Sequence, residues 1–190
     1  MHFQIKYMST FRDLGIRKDF INSLKELHIK VPTDIQEKTI PVLLKTETDF
    51  VGLAQTGTGK TAAFGLPILH KIDADNDTVQ ALILSPTREL VQQIKKQLFK
   101  FTKYAQDKIF VEAVYGGEKI DKQINNLKRT THVIVATPGR LIDLIERGEV
   151  NLKNVQNVVL DEADDMLSMG FKQDLNRILK YTCGAGNVWL

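Results

Sequence analysis

The sequence predicts an α/β fold: a mainly parallel central sheet flanked by helices on both faces. Three observations predict it. Short β-branched runs alternate along the chain with longer segments of helical period. The runs are mainly apolar, as strands covered on both faces are. The 190 residues, 43% apolar and 26% charged, suffice for one domain with a well-buried core.

The strand candidates are Phe50 to Ala54, Ala81 to Ser85, Phe110 to Tyr115, His132 to Ala136, Asn157 to Asp161 and Asn187 to Leu190. Helical period marks Lys60 to Lys71, Arg88 to Tyr104, Lys119 to Leu127, Arg140 to Arg147 and Lys172 to Tyr181. Two further helices, Lys18 to His28 and Asp34 to Lys45, precede the first strand candidate. The break between them reads VPTD, where Thr33 or Asp34 can cap the second helix. Asp73 to Thr78, DADNDT, is a polar surface loop. Lys95 to Tyr104 mixes lysines with aromatics. The expectation there is an amphipathic helix facing the core with solvated lysines, rather than a nucleic-acid patch.

A net charge of +3 permits a polyanionic partner without demanding one. Cys183 is the only cysteine, so no internal disulfide forms, and four scattered histidines give no metal-ligand spacing. The apolar runs are too short to span a bilayer, and MHFQIKYMST lacks the apolar stretch of a signal peptide. These features predict a cytoplasmic or nucleoid-associated protein with no membrane partner.

Two segments carry chemistry. Ala54 to Thr61 reads AQTGTGKT, between an apolar strand candidate and a helix, the setting of a phosphate-binding loop. Gly57 and Gly59, with Thr58 between them and Thr56 just before, permit a tight turn that presents backbone N–H groups to phosphates. The following helix adds the positive end of its dipole. Lys60 reaches the β- and γ-phosphates, and Thr61 can hold Mg²⁺. Ala54 departs from the general pattern, which opens with glycine. The segment also resembles the dinucleotide pattern G-x-G-x-x-A, but Lys60 and Thr61 directly after Gly59 favour the phosphate loop.

Val158 to Asp164 reads VVLDEAD. An apolar strand delivers Asp161 and Glu162 at its carboxyl end, where parallel sheets place ligands. Asp161 can hold Mg²⁺ through water, and Glu162 can orient or deprotonate an attacking water. The bland alternative is a helix cap; the phosphate loop upstream favours the catalytic one.

DEAD at Asp161 to Asp164 resembles the motif that names the DEAD-box RNA helicases. PTREL at Pro86 to Leu90 followed by Gln93, the glycine pair Gly116 and Gly117, TPGR at Thr137 to Arg140, and PTDIQ at Pro32 to Gln36 resemble further motifs of that family, in its order. The last, the Q motif, departs by opening with His28 and Ile29 instead of glycine and an aromatic.

The resemblance implies that residues 1–190 are an N-terminal RecA-like domain, with 1–46 a helical Q-motif region. It implies ATP and Mg²⁺ as cofactors, RNA as partner, and a second RecA-like domain beyond Leu190 that carries arginine fingers and further RNA contacts. As a fragment the chain would be monomeric and largely inactive. By the same resemblance Gln36 pairs with the adenine edge, which offers one donor and one acceptor. Phe11 stacks on the base; the alternative is a core phenylalanine. Thr87, Arg88, Gly117, Thr137, Gly139 and Arg140 would contact RNA phosphates and sugars, so recognition would not depend on base sequence. At rest, Arg88 or Arg140 could pair with an acid such as Glu89 or Asp164. Asp164 would link the phosphate site to the RNA motifs. The alternatives are a noncatalytic RNA-binding module on the same fold, a DNA-directed P-loop helicase or a small-molecule kinase.

Overall fold

A computed structural model describes residues 9–45, 48–55, 57–182 and 186–190. Five parallel strands form one sheet: β1 (Ala81–Leu84), β2 (Val111–Val114), β3 (Val133–Ala136), β4 (Asn157–Leu160) and β5 (Asn187–Trp189), in the order β2-β3-β1-β4-β5. Three of these strands, β1, β3 and β4, are buried along their whole length, which is why their sequences are apolar throughout except at Asn157, whose Oδ1 accepts from Asn187 Nδ2 at 3.2 Å. The two faces feed separate cores. Ile83, Val133, Val135 and Val159 pack on one side with α3 (Lys60–Lys71) and α4 (Arg88–Phe101). On the other side Leu82, Leu84, Ile134 and Val158 pack with α6 (Pro138–Glu146) and α8 (Lys172–Tyr181).

Helices α1 (Lys18–Glu26), α2 (Asp34–Lys45), α5 (Ile120–Leu127) and α7 (Ala163–Ser168) complete the order. The predicted helices are all present: α2, α3 and α8 have the predicted ends, and the others are shifted by one to three residues. Helix α6 begins at Pro138 rather than Arg140, because proline suits the first turn and Thr137 stands before it as N-cap. Helix α4 carries Leu98 and Phe101 inward, as expected of an amphipathic helix, although Phe99 is 72% exposed. Six-residue α7, directly after the acidic pair, is absent from the sequence reading.

The strand expected over Phe50 to Ala54 is reduced to one parallel bridge, Phe50 to Trp189. The backbone still follows β5: Phe50 N–H donates to Val188 O at 3.0 Å, and Gly52 N–H to Leu190 O at 2.7 Å. Among the described residues this segment has a neighbour on one side only. Val51 and Leu53 therefore stand 67% and 94% exposed, where an interior strand would bury them.

At His28, where the sequence departs from the pattern it resembles, the backbone shows the cost. Helix α1 ends in a left-handed turn: Ile29 N–H donates to Leu24 O at 2.9 Å, and His28 takes φ 60°. Glycine is the residue that adopts this conformation freely. His28→Gly should therefore raise stability by roughly 1 kcal/mol, about 2–4 °C in midpoint for a domain of this size. Thermal melts of the two proteins check this; an unchanged or lowered midpoint would count against strain at His28.

Candidate nucleotide and RNA site

All five strands run parallel, so their carboxyl ends share one rim. The chain leaves β1 toward β2 and β3 on one side, then crosses back to β4 on the other. A crevice opens at such a reversal, and the chemistry-bearing residues gather there. Thr87 and Arg88 follow β1, Gly116 and Gly117 follow β2, Thr137 to Arg140 follow β3, and Asp161 and Glu162 follow β4.

A cleft of about 500 Å³ is lined by Gln36, Gly57, Gly59, Lys60, Thr61, Gln93, Asp161 and Glu162, among others. It brings the phosphate loop, the acidic pair and the Q-motif glutamine together, as the sequence predicts. A second cavity of about 530 Å³ shares Lys60, Asp161 and Glu162 but is otherwise mostly apolar, with Leu43, Phe64 and Trp189 in its wall. The first cleft gathers more of the residues predicted to meet phosphates and is the better candidate for a nucleotide site.

The loop is built for close approach. Gly57 and Gly59 take φ 80° and 91°, and Gly59 caps α3 from a left-handed conformation. A Cβ at Gly59 would lie 2.4 Å from the Gln36 amide nitrogen and would push that amide off its bond to Gly59 O, while the φ of 91° would strain any other residue there. Helix α3 starts at Lys60 and aims its free N–H groups into the cleft. Thr56 lies outside the described residues. Gln36 is 3% exposed and already engaged: its Nε2 donates to Gly59 O at 3.0 Å, and its Oε1 accepts from Thr33 N–H at 3.0 Å. In this state the amide braces the phosphate loop.

Asp161 is partly buried, and burial pushes its carboxyl up to about 6. The Lys60 charge pulls the other way, and the Glu162 charge reinforces burial. Glu162 sits in a left-handed conformation, φ 56° and ψ 50°, at the N-cap of α7. Such strain in a non-glycine residue typically costs about 1–3 kcal/mol and concentrates at functional sites.

The raised Asp161 carboxyl has a pH consequence. Its folded-state value lies above that of the unfolded chain, so its contribution is fully present below about pH 4. That contribution is lost as pH rises through about 6. At neutral pH the ionised carboxylate is a penalty. Asp161→Asn should therefore stabilise the metal-free domain by on the order of 2 kcal/mol at pH 7.5, and by little at pH 4. Denaturant melts of both proteins at the two pH values test this, with a gain of equal size at both as the contrary result.

The remaining predicted residues take different stations. Phe11 is 2% exposed and lies in the core with Leu14, Ile16 and Phe20, the alternative set beside base stacking. The Thr87 hydroxyl caps α4, accepting from Leu90 N–H at 3.3 Å. Thr137 makes no such cap bond. Asp164 is exposed in the first turn of α7. Among the described residues neither resting ion pair forms, Arg88 with Glu89 or Arg140 with Asp164. Arg88 instead lies over the Tyr115 ring at 5.4 Å. Arg140 Nη1 donates to Glu118 O at 3.1 Å and to Gln123 Oε1 at 3.3 Å. Tyr115 and Gln123 went unnoticed in the sequence. A tyrosine closing an apolar run and a glutamine inside a helix carry no distinguishing pattern.

The chain matches the family model described as DEAD/DEAH box helicase over residues 33–186. It is 48% identical over 174 residues to the DEAD-box ATP-dependent RNA helicase CshA of Geobacillus kaustophilus, covering 92% of this chain and 37% of that protein. It is also 48% identical over 174 residues to the RNA helicase CrhR of Synechocystis, covering 92% of this chain and 35% of that protein. A crystal structure of a DEAD box protein from Methanococcus jannaschii superposes with a TM-score of 0.90 at 38% identity, over 97% of this chain and 49% of that one. The yeast DEAD-box splicing factor Prp28 gives 0.87 at 34%, over 98% of this chain and 47% of that one. The chain thus spans about a third to a half of these proteins. With its fold, its motifs and these likenesses in agreement, the chain belongs to the DEAD/DEAH box helicase family.

Proposed function

We propose that this domain binds ATP and Mg²⁺ and grips RNA by its backbone, and that within a longer chain it couples ATP hydrolysis to RNA remodelling. The observation that carries this reading is the meeting of Lys60, Thr61, Asp161 and Glu162 in one cleft at the rim that also holds Arg88 and Arg140.

The residues fit the implied cofactors. The turn at Gly57 and Gly59 and the start of α3 offer N–H donors and positive potential to phosphates. Asp161 is a partly buried carboxylate whose ionisation burial opposes, which a divalent cation would reverse. Lys60 and Thr61 would hold the phosphates and the ion, and Asp161 would hold the ion through water. Bound Mg²⁺ supplies charge neutralisation at the β- and γ-phosphates. The chain's own part is positioning. Lys60 places charge beside the phosphates, Glu162 orients or deprotonates the attacking water, and Gln36 reads adenine after exchanging its present partners.

For RNA, glycine supports the reading where the fold does not need it. A Cβ at Gly116 or Gly139 would meet no atom within 4 Å, so both leave open surface for a ligand backbone. Thr87, Arg88, Gly117, Thr137 and Arg140 surround that surface and suit phosphate and sugar. The second RecA-like domain would supply the rest, and we place the protein in the cytoplasm.

ATPase assays on the full-length protein with single-stranded RNA and with DNA of matching sequence test the reading. RNA should stimulate turnover and DNA should not. Equal stimulation would favour a DNA-directed ATPase, and no turnover with either a noncatalytic module.

A further inference from the structure

We infer that Gln123 is a positioning residue of the RNA site: a buried amide that sets Arg140 for phosphate and ties it to the strand end under Arg88. The inference rests on the proposed RNA function. Gln123 lies on α5 and is 2% exposed, unusual for a glutamine. A buried amide needs partners in fixed places, and here both ends have them. Its Nε2 donates to the Tyr115 carbonyl at 2.8 Å, in a buried bond, and at the longer distance of 3.4 Å to Glu118 Oε2, a carboxylate that Lys122 holds. Its Oε1 accepts from Arg140 Nη1 at 3.3 Å.

Tyr115 is the common support. Its carbonyl holds Gln123, and its ring, 9% exposed, lies under the Arg88 guanidinium. Its hydroxyl accepts from Gln92 Nε2 at 2.8 Å, which fixes the ring. Gly117 leaves room for that guanidinium, since a Cβ there would lie 3.2 Å from Arg88 Nη1. The two arginines proposed to bind phosphate are therefore set from one residue at the end of β2.

The chemistry of the hold suits a residue that must change partner. Both groups on Arg140, the Glu118 carbonyl and the Gln123 amide, are neutral. They orient the guanidinium without neutralising it, so its charge remains available to an anion. A carboxylate at the same place would compete with phosphate.

The test is equilibrium binding of a single-stranded oligouridylate to the full-length protein across a series of salt concentrations, with thermal melts to report folding. Arg140→Ala should weaken binding roughly tenfold or more, and lower the slope of log affinity against log salt by about 0.7, one lost phosphate contact on a single strand. Gln123→Met keeps the bulk but removes both polar arms and should reproduce both changes. The double variant should bind about as well as Arg140→Ala alone, because the contact is lost only once. Gln123→Glu serves if the methionine variant does not fold. It keeps the size and makes the acceptor anionic, so affinity and slope should again fall. A wild-type slope in a folded Gln123 variant, or losses that multiply in the double variant, would overturn the inference. If Arg140→Ala itself leaves affinity and slope unchanged, the RNA reading of that arginine fails with it.

Discussion

Glu162→Gln should lower ATP turnover by roughly 10²–10⁴-fold in the full-length protein while leaving ATP binding in place. The change removes the only property that lets Glu162 act on water, its negative charge, and preserves its size. Lys60→Ala should also abolish turnover, but by a different route, since it removes charge at the phosphates and weakens nucleotide binding as well. The contrast is the informative part. Titration with a fluorescent ATP analogue should separate the variants, and steady-state hydrolysis should group them. Near-normal hydrolysis by Glu162→Gln would remove it from the catalytic role.

The second large effect concerns residues 1–190 alone. An isolated domain should fold and bind adenine nucleotide weakly, yet turn ATP over at least about a thousandfold more slowly than the longer chain with RNA. The described residues that line the cleft include no arginine. Phosphoryl transfer needs positive charge on the γ-phosphate as its bond breaks, and the family supplies it from arginines on the second domain. Water entering an open cleft would weaken each charge interaction there. ATPase and duplex-separation assays with and without RNA check this. Robust strand separation by residues 1–190 would refute the two-domain mechanism.

The strands were legible wherever burial on both faces left no polar residue in the run, as in β1 (ALIL) and β3 (VIVA). Phe50 to Ala54 shows the limit of that signal. Its residues have strand character, but how much ladder forms depends on neighbours, and Val51 and Leu53 face outward here. The phosphate loop and acidic pair were legible because their spacing is the chemistry. Gln36 was found, but not its grip on Gly59, which requires two elements to be brought together. Phe11 was ambiguous for a related reason: an aromatic that can stack on a base can also fill a core. Gln123 had no signal at all, because its meaning lies in a carbonyl and a guanidinium supplied by other elements.

On the catalytic role proposed for Glu162, its left-handed backbone sets activity against stability. At that position glycine or asparagine is conformationally easier than glutamate. A random library selected only for expression or heat resistance would thus drift toward proteins that are sturdier and catalytically dead. Every gain in yield at this position would be a loss of the water-handling acid, and improvement of the protein must be scored on turnover from the first round.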